Sequence, residues 1–153
     1  MAERPFTLES VLSVREAELE AVERDLARAG GERTRERERT REMRRQKDEG
    51  LAFSREGGAP ADTGFLVAWY AWLSHMDLQI GEQERRERLA DNEFERVREL
   101  WKKAMTEKEK ILILKERHRE GQRRHSLRLE ERSLELWIRS RGSGGTPRGG
   151  GSP

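Results

Sequence analysis

The chain has 153 residues, 33% of them hydrophobic and 41% charged, with 32 basic side chains against 30 acidic and no cysteine. That is too little apolar material for a layered globular core, and it suits a long helix or coiled coil, whose seam is thin. Interleaved charges of both signs argue against a nucleic-acid binder, and the lack of cysteine removes disulfide and thiol chemistry.

In chain order, Pro5 suits a helix start, and Thr7 and Ser10 offer hydroxyl caps. Leu8, Leu12, Leu19, Val22 and Leu26 then recur at heptad steps interrupted by Arg15, and Ala29 extends the seam. Gly30 and Gly31 weaken the helix by roughly 1 kcal/mol each. Residues 32–49 (ERTRERERTREMRRQKDE) hold one apolar side chain, Met43, and read as a solvated helix with no buried stripe. Gly50, Gly57, Gly58 and Pro60 mark a loop, after which Asp62 or Thr63 can cap a second helix.

In that second helix Leu66, Trp69, Leu73, Met76, Ile80, Gln83, Glu87, Ala90, Phe94, Val97, Trp101, Ala104, Lys108 and Ile111 alternate steps of three and four without a slip. The same positions turn polar at Lys115, His118, Gln122 and His125, and apolar residues return at Leu127, Leu129, Leu134, Leu136, Trp137 and Ile138. This periodicity counts against disorder, the competing reading at such polarity.

The expected fold is all-α: an antiparallel two-helix coiled-coil hairpin with a longer, overhanging second helix and a disordered C-terminal tail. Helix one is expected at about 7–49, the loop at about 50–62, helix two at about 63–141 and the Gly-rich tail at 142–153. Helix one is too short to cover all of helix two. The uncovered end is also lopsided, residues 115–141 holding nine basic and five acidic side chains.

No catalytic constellation emerges, and the chain is not expected to be an enzyme or to carry a cofactor or metal. His118 and His125 are a heptad apart, too far for the i,i+4 pair that grips a metal. Arg141 and Arg148 among glycines make a weak RNA-binding signal. A membrane-surface helix over 115–141, with Leu127, Leu134 and Ile138 on one face, is diluted by its acidic neighbours. The N-terminus lacks the apolar run of a signal peptide, and FLVAWYAWL at 65–73 falls short of the about 20 residues a membrane span requires. A cytoplasmic location without a direct membrane span follows as an expectation.

Residues 65–76 (FLVAWYAWLSHM) concentrate four of the nine aromatics of the chain, Phe65, Trp69, Tyr70 and Trp72. A two-helix seam buries one stripe, which leaves Phe65, Val67, Tyr70 and Trp72 off it. Either the loop folds back so that Met43, Leu51 and Phe53 cover the excess, or an exposed aromatic patch marks a partner site. The second reading is preferred.

The chain resembles the flagellar FliJ family, coiled-coil proteins of the type III export apparatus. FTLESVLSVREAELEAVERDLARA at 6–29 is similar to the family's opening, WLSHMDLQIGEQERRERL at 72–89 to its second-helix start, and KEKILILKERHREGQRRHSLRLEERSLE at 108–135 to its C-terminal portion. The order of these segments makes the match more specific than any one heptad. The resemblance implies a stalk-like, non-catalytic coil that acts with the hexameric export ATPase, its paired termini in the ring. The tip would meet the cytosolic domain of the membrane export gate, and some members also handle export chaperones. It implies a place at the cytoplasmic face of the inner membrane, held there through the export apparatus.

The family's gate-contacting stripe falls here on Trp72, Met76, Gln79 and Gln83. Its helix-one half falls near Glu38, Glu42, Arg45 and Glu49, where this chain departs from the apolar or aromatic pattern. ATPase-ring contacts are expected from the uncovered end, at Arg128, Leu129, Arg132, Leu136, Trp137 and Arg139. The alternative is a generic coiled-coil scaffold or adaptor, or the equivalent stalk protein of a non-flagellar secretion system.

Overall fold

Capping chemistry and heptad spacing produce two long helices, seen in a computed structural model that describes residues 5–56 and 62–143. The first, α1, spans Glu9–Glu56, and the second, α2, spans Thr63–Ser143. No strand occurs among the described residues. A tight turn, Glu9 N–H to the Phe6 carbonyl at 3.2 Å, precedes the first full turn, closed by Leu12 N–H to the Leu8 carbonyl at 2.9 Å. Leu8, rather than Thr7 or Ser10, therefore stands at the cap. At α2 the expected cap is present: Asp62 Oδ1 accepts from the Gly64 N–H at 2.9 Å.

Two expected boundaries move. Residues 50–56 continue α1 instead of opening the loop, and Gly142 is helical because α2 runs on to Ser143. The remainder of the expected loop at 57–61 and the tail from 144 lie outside the described residues.

The chain divides into two units, Arg15–Glu107 and the pair Met1–Val14 with Lys108–Pro153. In each, α1 and α2 pack antiparallel. In the larger unit Arg33 meets Asp91 at 3.3 Å and Lys47 meets Asp77 at 2.5 Å, fourteen positions forward on α1 and fourteen back on α2. In the smaller unit the Phe6 ring lies 5.5 Å from that of His118, and Lys115 Nζ reaches Glu9 at 3.2 Å, three positions on and three back.

The inward stripe of α1 does not stop where its apolar residues do. After Leu19 and Ala29, both buried, the covered positions are Arg33, Glu36, Thr40, Met43, Lys47, Gly50 and Ser54, still at steps of three and four. The stretch that reads as stripeless thus has a stripe made of polar residues. Arg15 likewise occupies a half-buried seam position and continues the stripe it seemed to interrupt. Thr40, at 2% exposure, is the most buried residue described.

Each polar member of this stripe has a partner that makes burial tolerable. The Thr40 hydroxyl donates to the Glu36 carbonyl at 3.0 Å, and the Gln83 amide donates to the same carbonyl from α2 at 3.2 Å. The Arg33 guanidinium lies 4.4 Å above the centre of the Phe94 ring while pairing with Asp91. Arg37 approaches the same Asp91 oxygen at 3.2 Å. That buried oxygen makes no direct hydrogen bond, so its attraction to the two guanidiniums is coulombic.

Two of the glycines of α1, Gly30 and Gly50, face aromatic rings of α2, while Gly31 is exposed. A Cβ at Gly30 would rest in ordinary contact, 3.5 Å, with the Phe94 ring. A Cβ at Gly50 would overlap the Trp72 indole, with Cζ3 only 2.8 Å away. Only a bare backbone lets that ring lie against α1. Gly81 on α2, by contrast, faces open space.

Two substitutions that raise helix propensity equally should therefore differ in sign. Gly81→Ala should stabilise the chain by about 1 kcal/mol. Gly50→Ala should destabilise it by about 1–3 kcal/mol through overpacking. Denaturant unfolding followed by circular dichroism measures both.

Candidate functional site

Two regions present chemistry beyond helix packing: the start of α2 with the end of α1, and the last turns of α2. At the first, the Trp69 and Trp72 rings stack with centroids 5.0 Å apart, and Phe65 stacks on Trp69 at 6.4 Å. The stack begins outside and ends inside, since Phe65 is exposed, Trp69 and Trp72 are half-buried, and Trp72 rests on Gly50.

This settles the alternatives for the aromatic block in a divided way. Trp72 is packed against α1, contrary to the expectation that it lies off the seam. Phe53, the cover in the reading not preferred, is itself 70% exposed, and Val67 and Tyr70 are each 66% exposed. Extending α1 to Glu56 carries Phe53 along a helix face, where it cannot fold over α2 as a loop would.

The four residues assigned to gate contact do not form one surface. Met76 and Gln83 are seam positions and are buried, Gln83 at 3% exposure with its amide held by Glu36. Trp72 is half-buried and Gln79 is exposed. The reason is their spacing: 76 and 83 fall on the heptad stripe that also contains Leu73 and Ile80, so α1 covers them. The helix-one half, Glu38, Glu42, Arg45 and Glu49, lies entirely on the outside. There Arg45 forks onto Glu42 at 2.6 and 2.9 Å and reaches Glu49 at 2.6 Å. That charge chain is local to α1 and does not join the Trp72 side.

Hydrogen bonding from Arg45 holds the Glu42 carboxyl below the usual glutamate range, and Arg96 does the same for Glu93. Lowered carboxyl values add stability above the unfolded-state range and lose it as pH falls through the folded one. Both carboxylates are exposed, so the effect is small. The thermal midpoint should fall modestly on acidification from neutral pH, and added salt at neutral pH should mimic part of that fall.

The second region belongs to the smaller unit. Phe6 stands opposite His118, and α2 continues as helix to Ser143 with no described α1 residue beside its last turns. Of the residues assigned to ATPase contact, Leu129 is half-buried, and Arg128, Arg132, Leu136, Trp137 and Arg139 are exposed. Leu129 and Leu136 prolong the seam stripe, while Leu127, Leu134 and Ile138 project from the other side. Arg141 lies over the Trp137 ring at 4.4 Å, an addition that spacing on a helix could have suggested. Leu129, Glu130, Ser133, Leu134 and Trp137 line a shallow groove there.

A family model described as Flagellar FliJ protein matches residues 4–135. The chain belongs to the flagellar FliJ family. The match takes in both helices and stops within the uncovered end of α2, before Trp137. No match is found among the curated proteins or the solved structures. Membership in the FliJ family supports a role in flagellar protein export. No helix of the described residues is long and apolar enough to cross a membrane.

A double-mutant cycle separates packing from docking at Trp72. Trp72→Ala should cost about 2 kcal/mol of stability, less than a fully buried aromatic. In that background Gly50→Ala should turn from destabilising to stabilising, because the ring it collides with is gone. Additive effects in denaturant unfolding would show that the two positions do not touch.

Proposed function

We propose that this FliJ-family chain is a non-catalytic coupling element of flagellar export. The end of α2 engages the hexameric export ATPase, and the tip end meets the cytosolic domain of the membrane export gate. The observation that carries the reading is the uncovered end of α2, where apolar and basic side chains project although helix–helix packing makes no use of them. Leu136 and Trp137 supply apolar anchorage, and Arg128, Arg132 and Arg139 supply steering toward an acidic surface.

At the other end, Gln79 and the accessible part of Trp72 offer the gate a contact that leaves the seam closed. Met76 and Gln83 serve that contact from behind, by holding α2 in register on α1. The protein then works at the cytoplasmic face of the inner membrane, tethered through its partners. Family membership favours the flagellar system over a non-flagellar one, and export chaperones remain further candidate partners.

Deleting the chain from Leu127 onward tests the ATPase assignment. Stimulation of the ATPase should be lost while helicity per residue and the melting transition are kept, since those residues make little contact with α1. Full stimulation by the truncated chain would refute the assignment. Raising salt should slow association if the arginines steer it, and should leave it unchanged if Trp137 alone anchors it.

A further inference from the structure

The tip of the larger unit has a composition found nowhere else in the chain. Between Glu56 and Asp77 the only charged side chain is Asp62. Its carboxylate is engaged at the helix start, accepting from the Gly64 N–H. In that setting Val67 and Tyr70 are each 66% exposed, and Phe65 and Leu66 each 41%. Phe53 is 70% exposed on α1, and the pairing of Gly50 with Trp72 brings it level with the Trp69 turn.

These side chains do not share a face. Phe65, Leu66 and Val67 are consecutive and so point in directions about 100° apart. A groove on a protein covers one side of a helix and is rimmed by polar and charged groups. Here the exposed apolar side chains of the first turns of α2 point to several sides, only Trp69 and Trp72 being half-buried among the aromatics. α2 has no charged side chain before Asp77, and the nearest charges on α1 are Arg55 and Glu56. An environment that envelops the whole tip fits better, and the interfacial zone of a bilayer is one. Aromatic side chains with one polar atom, such as Tyr70 and Trp69, favour that zone.

We propose that this tip inserts shallowly into a lipid bilayer interface through Phe53, Phe65, Leu66, Val67 and Tyr70. The insertion is driven by apolar contact and not by headgroup charge, because the inserted turns of α2 have no basic residue and Arg55, the one basic side chain near Phe53 on α1, is followed by the acidic Glu56. It is separate from the gate and ATPase assignments, since it requires neither protein. No helix is apolar enough to span, so the contact is peripheral.

The test is flotation of the purified full chain with vesicles of phosphatidylcholine alone and of phosphatidylcholine mixed with phosphatidylglycerol. The chain should float with both, and equally at about 0.1 M and about 1 M salt, between which the screening length falls from about 10 Å to about 3 Å. Tryptophan emission should shift to the blue on binding, as Trp69 enters a drier setting. The double variant Val67→Glu, Tyr70→Glu should bind at least about tenfold more weakly. Its helicity should be unchanged, because both positions are exposed. The double variant Leu134→Glu, Ile138→Glu at the far end should bind like the parent chain.

Failure to float with either vesicle overturns the proposal. So does binding that requires the anionic lipid and vanishes in salt, or binding that the Leu134, Ile138 variant loses and the tip variant keeps. If the chain ignores vesicles but the tip variant loses binding to the soluble gate domain, the patch is a protein-docking surface. If the tip variant instead converts a dimer to a monomer in sedimentation, the patch joins two copies. Either result overturns lipid insertion.

Discussion

The unbroken alternation of three and four residues along both helices is the constraint from which the other features follow. It is kept at Arg15 and through residues 33–54, where apolar residues almost disappear. A slip of one residue in that register would turn Arg33, Glu36, Thr40 and Lys47 away from their partners and bring unpaired charges into the seam. The polar stripe therefore specifies alignment more than it adds stability. The Glu36–Thr40–Gln83 group is the clearest instance, with donors from both helices meeting one carbonyl.

Small and large residues complete the seam where polar pairs do not. Gly30 receives Phe94 and Gly50 receives Trp72. Each glycine lowers the intrinsic preference of α1 for helix, and at Gly50 the bare backbone is what allows the α2 ring to approach, whereas a Cβ at Gly30 would meet Phe94 at ordinary contact. The loss in propensity is about 1 kcal/mol per glycine, and a well-placed aromatic ring can bury enough apolar area to exceed it. This is consistent with α1 continuing through Gly30 and Gly50, residues that in isolation punctuate a helix.

The proposed contacts rest on what this seam leaves uncovered. In the larger unit the seam takes up Trp72, Met76 and Gln83, and the outer turns retain Phe53, Val67 and Tyr70. In the smaller unit α1 begins opposite Lys115, and Pro5 and Phe6 before it reach His118 and the turn that follows. The proposed contacts lie at helix ends, where α2 residues are uncovered, while the middle of each helix serves packing. Exposed ion pairs along the outer faces, such as Glu42 with Arg45 and Glu93 with Arg96, add solubility and a little helix stability.

The sequence by itself determined the class of the fold, because heptad spacing survives in the order of residue types and needs no partner to be read. The long second helix and its apolar return from Leu127 were legible for the same reason, and residue type narrowed its cap to Asp62 or Thr63, of which the structure selects Asp62. So was the family, through the order of its segments. What only the tertiary structure decided was the meaning of individual residues within that pattern. Gly50 is a loop signal until Trp72 is seen against it, and Thr40 is an unremarked hydroxyl among arginines until α2 covers it. Met76 and Gln83 occupy seam positions in the one-dimensional pattern, yet a family stripe assigned them to a surface. Burial belongs to a residue together with whatever lies opposite, and the opposite residue is far away along the chain, from Trp72 for Gly50 to His118 for Phe6, beyond the reach of any local pattern.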